Sequence, residues 1–428
     1  MTINNRYEIP ISLETVNTYL RKFETRQFYI PAFVAIAALF LFTEASLRND
    51  FDIFLSASRQ LFEGKNIYRE TYFDGYHYYY STLFAVLLYP LTLLPAFLAK
   101  SIWIILNLLF LFRMLHLLNP WLESIQVKAQ WKNLLKLILL LFCLRLLKGN
   151  IHLGQMTIFI LYLSLESVHQ IRKGSSVAGS LLLALAINVK VLPIVLVPYL
   201  IYRAKWKPAA LTILFLFVMA FLPGLIIGFN YNHYLFSEWW QLVNPSQSKH
   251  LMDVEETSFH GLSTVLPILL MSETPDRSTI DISRNILNLT FVQVTLIIHL
   301  SRLLLILGTL WFLRTLPFRK APSIQHEWWE LSYIFLCIPL IFPHQQHYAF
   351  LFIWPALAYL ISYAYQLKRK GRYLFFLTFI FLCMNAALIL GFWRNYFEHF
   401  KIVTLGAFVC LILLFISKPE KLSFEQTS

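Results

Sequence analysis

The stretch FYIPAFVAIAALFLFTEA (residues 28–45) decides the fold class, because it is an apolar run of the length that crosses a bilayer as a helix. The chain then turns polar in NDFDIFLSASRQLFEGKNIYRETYFDGYHYYY (49–80), before a further apolar run begins. Apolar residues alternate with polar ones in the first half of this segment, as in a helix that lies at a membrane surface. The sequence therefore predicts a membrane span followed by a loop, about 47–81, that contains its own juxtamembrane helix.

The composition is that of a membrane protein throughout. Of the 428 residues, 58% are hydrophobic and 14% are charged, and the mean hydropathy is +0.59. A soluble domain would carry about a quarter charged residues. Apolar runs recur as far as residue 417, so we predict an all-α polytopic membrane protein with ten to twelve crossings. The expected organisation is a cytoplasmic N-terminal segment (1–27), one integral membrane domain (28–417) and a cytoplasmic or disordered tail (418–428).

Basic residues account for the net charge of +13 and gather in short loops. Such loops normally face the cytoplasm and attract anionic lipid headgroups, so we expect membrane lipids and no nucleic acid as partners. This orientation places the loop 47–81 and a second long segment, 229–262, on the external face of a multi-pass cell (inner) membrane protein. The four cysteines all lie in apolar runs and are predicted to be small core residues.

Two acids open the first polar loop, Asp50 and Asp52. An acid just beyond the end of a span can act as a general base on a hydroxyl group. The alternative is structural, because Asn49 or Asp50 is also a suitable N-cap for the helix that follows. The spacing of the two acids leaves both interpretations open.

A lysine interrupts the apolar stretch LLLALAINVKVLPIVLVPYL (181–200). On insertion scales a lysine at the centre of a membrane helix costs roughly 2.5–3.5 kcal/mol, so such residues usually face a cavity and an anion. We predict that Lys190 faces a phosphate. The alternative is a lysine at a helix end, beside Pro193, whose side chain reaches the interface.

Polar residues also concentrate in RLLKGNIHLGQM (145–156), between two apolar runs. The two glycines allow a sharp break here, and broken helices at membrane depth line protein-enclosed cavities. The polar members are Arg145, Lys148, Asn150, His152 and Gln155. A plain interhelical loop is the alternative.

Histidines and tyrosines mark the remaining polar segments. His344 and His347 follow a proline in IFPHQQHYAFLFIWPAL (341–357), and His260 lies in EETSFHGLSTVLP (255–267). The first two have a spacing that could hold a metal, but no third ligand is evident, so we predict no metal and keep helix-end histidines as the alternative. The tyrosines at 76 and 78–80 are predicted to form an interfacial aromatic belt, with stacking on sugar rings as the alternative.

Taken in order, these stretches resemble glycosyltransferase family 87, the polyprenyl-phosphomannose-dependent α-1,2-mannosyltransferase-like proteins of the GT-C superfamily. The pattern D-F-x-[IV]-[FY]-x-x-A corresponds to DFDIFLSA (50–57), and L-x-x-G-x-x-x-Y corresponds to LFEGKNIY (61–68). LLYPLTLLP (87–95), an L-G-Q element (153–155) and a K-x-x-P break (190–193) follow. The likeness covers roughly residues 30–370. It departs from the family at YYYSTLFA (78–85), which lacks a tandem proline, and at PHQQHY (343–348).

The resemblance implies a GT-C-type helical bundle that moves a hexose, mannose in the first instance, from a polyprenyl-phosphate sugar to a hydroxyl of a glycan or glycolipid on the external face, with inversion. It implies Asp50 as general base, with Asp52 in reserve, and no cofactor. The predicted phosphate ligands are Lys190, Lys148 and Arg145, and the predicted catalytic or acceptor-binding histidines are His260, His344 and His347. Predicted sugar or acceptor contacts are Tyr68, Tyr78, Asn150 and Gln155. A secondary transporter and a lipid-linked polymer ligase or flippase are the alternative functions.

Overall fold

The computed structural model describes residues 26–244, 251–254, 256–272, 280–313, 317–367 and 370–419. The predicted cytoplasmic segment 1–27 and the predicted tail 418–428 lie almost entirely outside these residues. Within them the chain is helical, and its only β-type pairing is an isolated bridge between Phe259 and Gln346.

The helices of the first half of the chain run from the first apolar stretch to residue 221. They are α1 (Arg26–Glu44), α2 (Asp50–Phe62), α3 (Thr82–Thr92), α4 (Ala96–Leu117), α5 (Asn119–Ser124), α6 (Ala129–Phe142), α7 (Leu144–His152), α8 (Thr157–Arg172), α9 (Ser176–Val189), α10 (Leu196–Tyr202) and α11 (Trp206–Phe221).

The second half contains both short and long helices. They are α12 (Gly224–Ile227), α13 (Phe229–Val243), α14 (Leu262–Leu270), α15 (Phe291–Leu313), α16 (Ile324–Ile341), α17 (Trp354–Gln366), α18 (Gly371–Ile389), α19 (Arg394–His399) and α20 (Ile402–Ile416). Among the described residues, four 3₁₀ segments lie between helices, at Phe73–Gly75, Leu192–Val195, His347–Ile353 and Gly391–Trp393.

Five helical segments in the described residues are long and apolar enough to cross a membrane, and two bent helix pairs raise this number to seven. The all-helical polytopic class is therefore confirmed, and α2 is the predicted juxtamembrane helix of the first loop. Four further apolar helices have only 10–17 residues. The predicted ten to twelve crossings would require these short helices to cross as well.

Burial separates central from peripheral helices. In the most apolar stretch of the span His347–Gln366, which ends in α17, 94% of the residues are buried. The corresponding values are 22% for Trp206–Ile227, which comprises α11 and α12, and 17% for α15. A helix that is apolar on all sides belongs either in a core or against lipid, and both cases occur here. Helices α11 and α15 thus lie at the periphery of the bundle. All four cysteines are buried and free, as predicted.

Both predicted helix breaks are confirmed. Helices α7 and α8 meet at an angle of 117°, and α9 ends at Val189, three residues before the 3₁₀ turn that contains Pro193 begins. Glycine and proline explain the breaks, because Gly154 adopts a positive φ of 66° and proline lacks the amide that a continuing helix needs. The two breaks and the start of α2 lie close together in space.

Candidate active site

The first turn of α2 separates the roles of the two acids. Asn49 is the N-cap, and its side-chain oxygen accepts a hydrogen bond from the amide of Phe51 at 3.2 Å. Asp52 completes a capping box by accepting from the amide of Asn49 at 2.8 Å, and its Oδ2 lies 2.7 Å from Nζ of Lys100. Asp52 is thus occupied by two structural contacts, whereas Asp50 has neither of them.

The start of α2 is held against the break between α7 and α8. The amide of Asp50 donates to the carbonyl of Leu153 at 3.2 Å, and Nδ2 of Asn49 donates to the carbonyl of His152 at 3.1 Å. A Cβ on Gly154 would lie 2.8 Å from Cβ of Phe51 and 2.9 Å from Oδ1 of Asn49. Only glycine allows this close approach at this backbone angle, and the approach brings Asp50 next to Gln155.

The carboxylate of Asp50 is half-buried and hydrogen-bonded. Nε2 of Gln155 donates to its Oδ2, and Oε1 of Gln155 accepts from the hydroxyl of Tyr80 at 3.3 Å. Burial is the main reason that the pKa of Asp50 is raised to about 6, and the nearby charge of Glu256 raises it too. The hydrogen bond from Gln155 and the charge of Lys190 act in the opposite direction and lower the pKa. A carboxylate with this pKa is ionised near neutral pH and is a stronger base than an exposed one.

Lys190 faces the same site from the end of α9. It caps the helix in an extended conformation, and its Nζ lies 5.7 Å from the centroid of the Tyr80 ring, within range of a cation–π contact. Ser81 donates to Oδ1 of Asn188 at 2.7 Å and so ties this helix end to the loop before α3. Lys190 therefore lies at a helix end, near the charge of Asp50, and its role towards a phosphate stays a prediction.

The tyrosines at 76 and 78–80 divide into two buried and two exposed side chains. Tyr78 and Tyr80 are 0% and 6% exposed, whereas Tyr76 and Tyr79 are 39% and 38% exposed. The prediction of an interfacial belt is wrong for Tyr78 and Tyr80, because both are buried inside the protein. From Tyr78 to Tyr80 the exposure alternates as it does along an extended chain, whereas Tyr76 does not follow this alternation. The hydroxyls of Tyr78 and of the equally buried Tyr68 donate to backbone carbonyls and hold the loop in place.

Arg145 belongs to a separate buried cluster. Its guanidinium pairs with the carboxylate of Glu398, whose other oxygen lies 2.7 Å from Nε2 of His260. His260 is fully buried, and burial lowers the pKa of its imidazole, so a neutral ring donates through Nε2. The charge of Arg145 is therefore balanced inside the protein by Glu398.

The two later histidines have different surroundings. Nδ1 of His344 lies 2.8 Å from Oδ1 of Asp253. The ring of His347 lies against α7, where a Cβ on Gly149 would be 2.7 Å from its Nε2, and its buried Nδ1 has no hydrogen-bond partner among the described residues. In the part of the chain that the structure describes, no three His, Cys, Asp or Glu side chains form a group that could hold a metal ion.

The remaining predicted residues divide into a buried and an exposed one. Nδ2 of Asn150 donates to the carbonyls of Leu146 and Tyr348, at 2.9 and 3.1 Å, so Asn150 joins α7 to the start of the buried span. Lys148 is exposed on α7.

The sequence analysis did not assign three residues to the site that lie there in the structure. Tyr80 belongs to the site and not to an aromatic belt, and Glu256 and Tyr348 both interact electrostatically with Asp50. Glu256 accepts a hydrogen bond from Nε2 of Gln346 at 3.0 Å. The β-bridge between Phe259 and Gln346 joins the same two segments. The acidic pair before His260 is the signal in the sequence that could have indicated Glu256.

The family of the chain follows from a sequence profile. No curated protein sequence matches the chain. Residues 78–339, well over half of the chain, match glycosyltransferase family 87. The matched region contains Tyr80, Gln155 and Lys190, and it begins after Asp50. The chain therefore belongs to glycosyltransferase family 87 and is a multi-pass membrane glycosyltransferase.

Proposed function

We propose that this glycosyltransferase moves a hexose, mannose first, from a polyprenyl-phosphate sugar to a hydroxyl of a glycan or glycolipid. One observation carries the proposal: Tyr80 joins an acid to a cation. Its hydroxyl donates to Gln155, which holds the carboxylate of Asp50, and its ring faces the ammonium of Lys190. A base and a fixed positive charge at one site are what transfer from a phosphate-linked donor requires.

In the proposed step the acceptor oxygen attacks the anomeric carbon from the side opposite the phosphate. Asp50 takes the proton of the hydroxyl, the new glycosidic bond forms, and the bond between the anomeric carbon and the phosphate oxygen breaks. The electron pair leaves with the lipid phosphate, and the configuration at the anomeric carbon inverts. The raised pKa of Asp50 supports this role, because a carboxylate with a higher pKa accepts a proton more readily.

Lys190 is the first choice for the charge that develops on the leaving phosphate. Its Nζ contacts the Tyr80 ring and interacts with the charge of Asp50. Among the described residues, it has no hydrogen-bond partner and forms no ion pair within contact distance. Arg145 is already paired with Glu398, so we place Lys148 and His347 next in order. Fixed cations of this kind stabilise developing charge without reorganisation at the moment of reaction.

The acceptor would approach from the first loop. Tyr76 and Tyr79 are exposed there, and the ring of Tyr79 lies 6.1 Å from that of the half-buried His344. Aromatic faces of this type suit the apolar faces of sugar rings. We place this side of the molecule on the external, periplasmic face, because basic loops are expected on the opposite side. Family membership favours transfer over the transport and flippase alternatives.

The test uses the full chain, purified in nanodiscs, with a panel of polyprenyl-phosphate sugars and glycolipid acceptors. Wild-type protein should form product from one donor, and Asp50→Asn should lower turnover by at least about 100-fold, the scale of a lost general base. Asp281→Asn, at an exposed acid outside the site, serves as the matched control and should keep full activity. Full turnover by Asp50→Asn would overturn the assignment of the base, and turnover with nucleotide sugars alone would overturn the donor class.

A further inference from the structure

An apolar cavity of about 760 Å³ lies between α1, α4 and α6. Its body is lined by apolar side chains, among them Phe33 of α1, Leu108 and Leu111 of α4, and Leu140 of α6. Helices α1 and α4 pack together and form one wall, and α6 forms the other. The volume falls within the range of about 300–1,000 Å³ that ligand sites occupy. We call this cavity the α1–α4–α6 groove.

The groove extends away from the candidate active site. Lys100 marks the active-site end of α4, because its ammonium pairs with Asp52. At about 1.5 Å per residue, the helix carries His116, which lines the far end of the groove, about 24 Å along its axis from Lys100. Since the hydrocarbon core of a bilayer is about 30 Å thick, this end lies near the opposite membrane surface from Asp50.

Polar residues line that far end. His116 and Asn119 come from the end of α4 and the start of α5, and Asn133 and Lys136 come from the first turns of α6. Oδ1 of Asn119 is buried and has no hydrogen-bond partner in the described part of the chain. The groove therefore combines an apolar body with one end that offers a positive charge and a vacant hydrogen-bond acceptor.

The side of the groove is open to lipid. Ile36 on one wall and Leu137 on the other are 49% and 43% exposed, although both are apolar and line the cavity. At this depth such exposure faces acyl chains rather than water. A lipid could therefore enter sideways from the bilayer.

We propose that the α1–α4–α6 groove binds one anionic glycerophospholipid from the leaflet opposite the active site. An acyl chain would lie along Phe33, Leu111 and Leu140, the phosphate would meet Lys136, and a headgroup hydroxyl would donate to Asn119. Basic pockets between membrane helices are known to hold anionic headgroups. The polar end of the groove favours a phospholipid over the isoprenoid tail of the donor, because the free end of an isoprenoid chain has no polar group that would contact it.

The test measures retained lipid by native mass spectrometry of the purified full chain, followed by titration of delipidated protein with phosphatidylglycerol or phosphatidylcholine. Two variants test the groove independently. Lys136→Glu reverses the charge at its polar end, and Leu111→Trp fills its apolar body. Lys173→Glu is the matched control, since Lys173 is exposed after the end of α8 and does not line the groove. We expect wild type and Lys173→Glu to retain one phosphatidylglycerol that both groove variants lose, with an affinity at least about tenfold weaker for Lys136→Glu.

Three results would overturn the proposal. Equal retention of phosphatidylglycerol by all four proteins would remove the lipid from the groove. Equal retention of phosphatidylcholine and phosphatidylglycerol by wild type would remove the role of the charge. Displacement of the retained lipid by a polyprenyl phosphate, one for one, would assign the groove to the donor tail instead.

Discussion

Gln155 donates its side-chain amide to the carboxylate of Asp50, although the two residues lie 105 positions apart in the chain. The contact depends on the sharp break between α7 and α8, which turns Gln155 towards the first turn of α2. A hydrogen bond to the ionised form of an acid favours that form, so Gln155 opposes the effect of burial on Asp50. Gln155 thus helps to set the pH at which the proposed base becomes active.

The activity of the wild-type enzyme should depend on pH through Asp50. Because burial raises the pKa of this carboxyl to about 6, turnover should rise with pH through a single ionisation near that value and level off above it. The measurement is the initial rate under saturating donor between pH 4.5 and 8.5. A rate that is flat across this range would show that the ionisation of Asp50 does not control turnover.

The same pKa predicts the effect of pH on stability. The folded protein binds the Asp50 proton more tightly than the unfolded chain, whose carboxyl has a pKa of 3.8, so this group's contribution to stability decreases as pH rises from 3.8 to about 6. The shift corresponds to on the order of 3 kcal/mol. Asp50→Asn should therefore melt at a higher temperature than wild type at pH 8 and at nearly the same temperature at pH 4. An equal or lower melting temperature at pH 8 would contradict an unfavourable burial of the Asp50 charge.

Gln155→Leu should shift the pH profile rather than only lower the rate. Loss of the hydrogen bond raises the pKa of Asp50 further, so the rise in activity should move to higher pH. Tyr80→Phe is the matched variant, because it removes only the hydroxyl that donates to Gln155, and it should shift the profile less. A uniform loss of rate at all pH values would give Gln155 a purely structural role.

The sequence predicts those features of the fold that depend on local chemistry. The apolar runs indicate membrane helices because each run is contiguous, and glycine, proline and lysine within them indicate the breaks at Gly154 and Lys190. The first loop and its helix follow from a change in hydropathy at one point in the chain. The length of each helix depends on its ends, which is why the number of crossings does not follow from the runs alone.

The sequence does not reveal which side chains pair with one another, because the two members of a pair can lie far apart in the chain. Arg145 pairs with a carboxylate 253 positions away, and nothing near Arg145 indicates that its charge is already balanced. Likewise the capping box that occupies Asp52 requires a backbone conformation, and the spacing of Asp50 and Asp52 alone does not reveal it. The inward direction of Tyr80 depends on extended backbone that hydropathy does not reveal.

Asp52→Asn should affect stability and not chemistry. The substitution weakens the capping box and leaves the buried ammonium of Lys100 without its carboxylate, which together should lower the free energy of unfolding by about 1–3 kcal/mol. Turnover per folded molecule should stay close to that of wild type. The checks are the melting temperature and the rate normalised to folded protein, and an inactive but fully stable variant would exchange the roles of the two acids.

Lys190→Ala should impair donor use and leave the fold intact. Removing a fixed charge opposite the leaving phosphate should lower kcat/KM by roughly 100-fold, while the free energy of unfolding should change by less than about 1 kcal/mol. Lys190→Arg keeps the charge and should recover part of the loss. Lys173→Ala, at an exposed lysine after the end of α8, is the control for unspecific loss of charge. Unchanged binding of polyprenyl phosphate by Lys190→Ala would remove Lys190 from the donor site.

Gly154→Ala tests whether the close approach of two distant segments builds the site. The substitution forces a residue with a Cβ into a left-handed conformation, at about 1–2 kcal/mol, and places that Cβ 2.8 Å from Phe51. Gly64→Ala separates the two effects, because Gly64 has a φ of 76° but no atom lies within 4 Å of the position that a Cβ would take there. Gly64→Ala should lose only the conformational part of the stability and keep full turnover. Gly154→Ala should lose more stability and most of its turnover, since α2 must shift and carry Asp50 away from Gln155. If both variants are equally stable and equally active, the packing of Gly154 against Phe51 does not position the base.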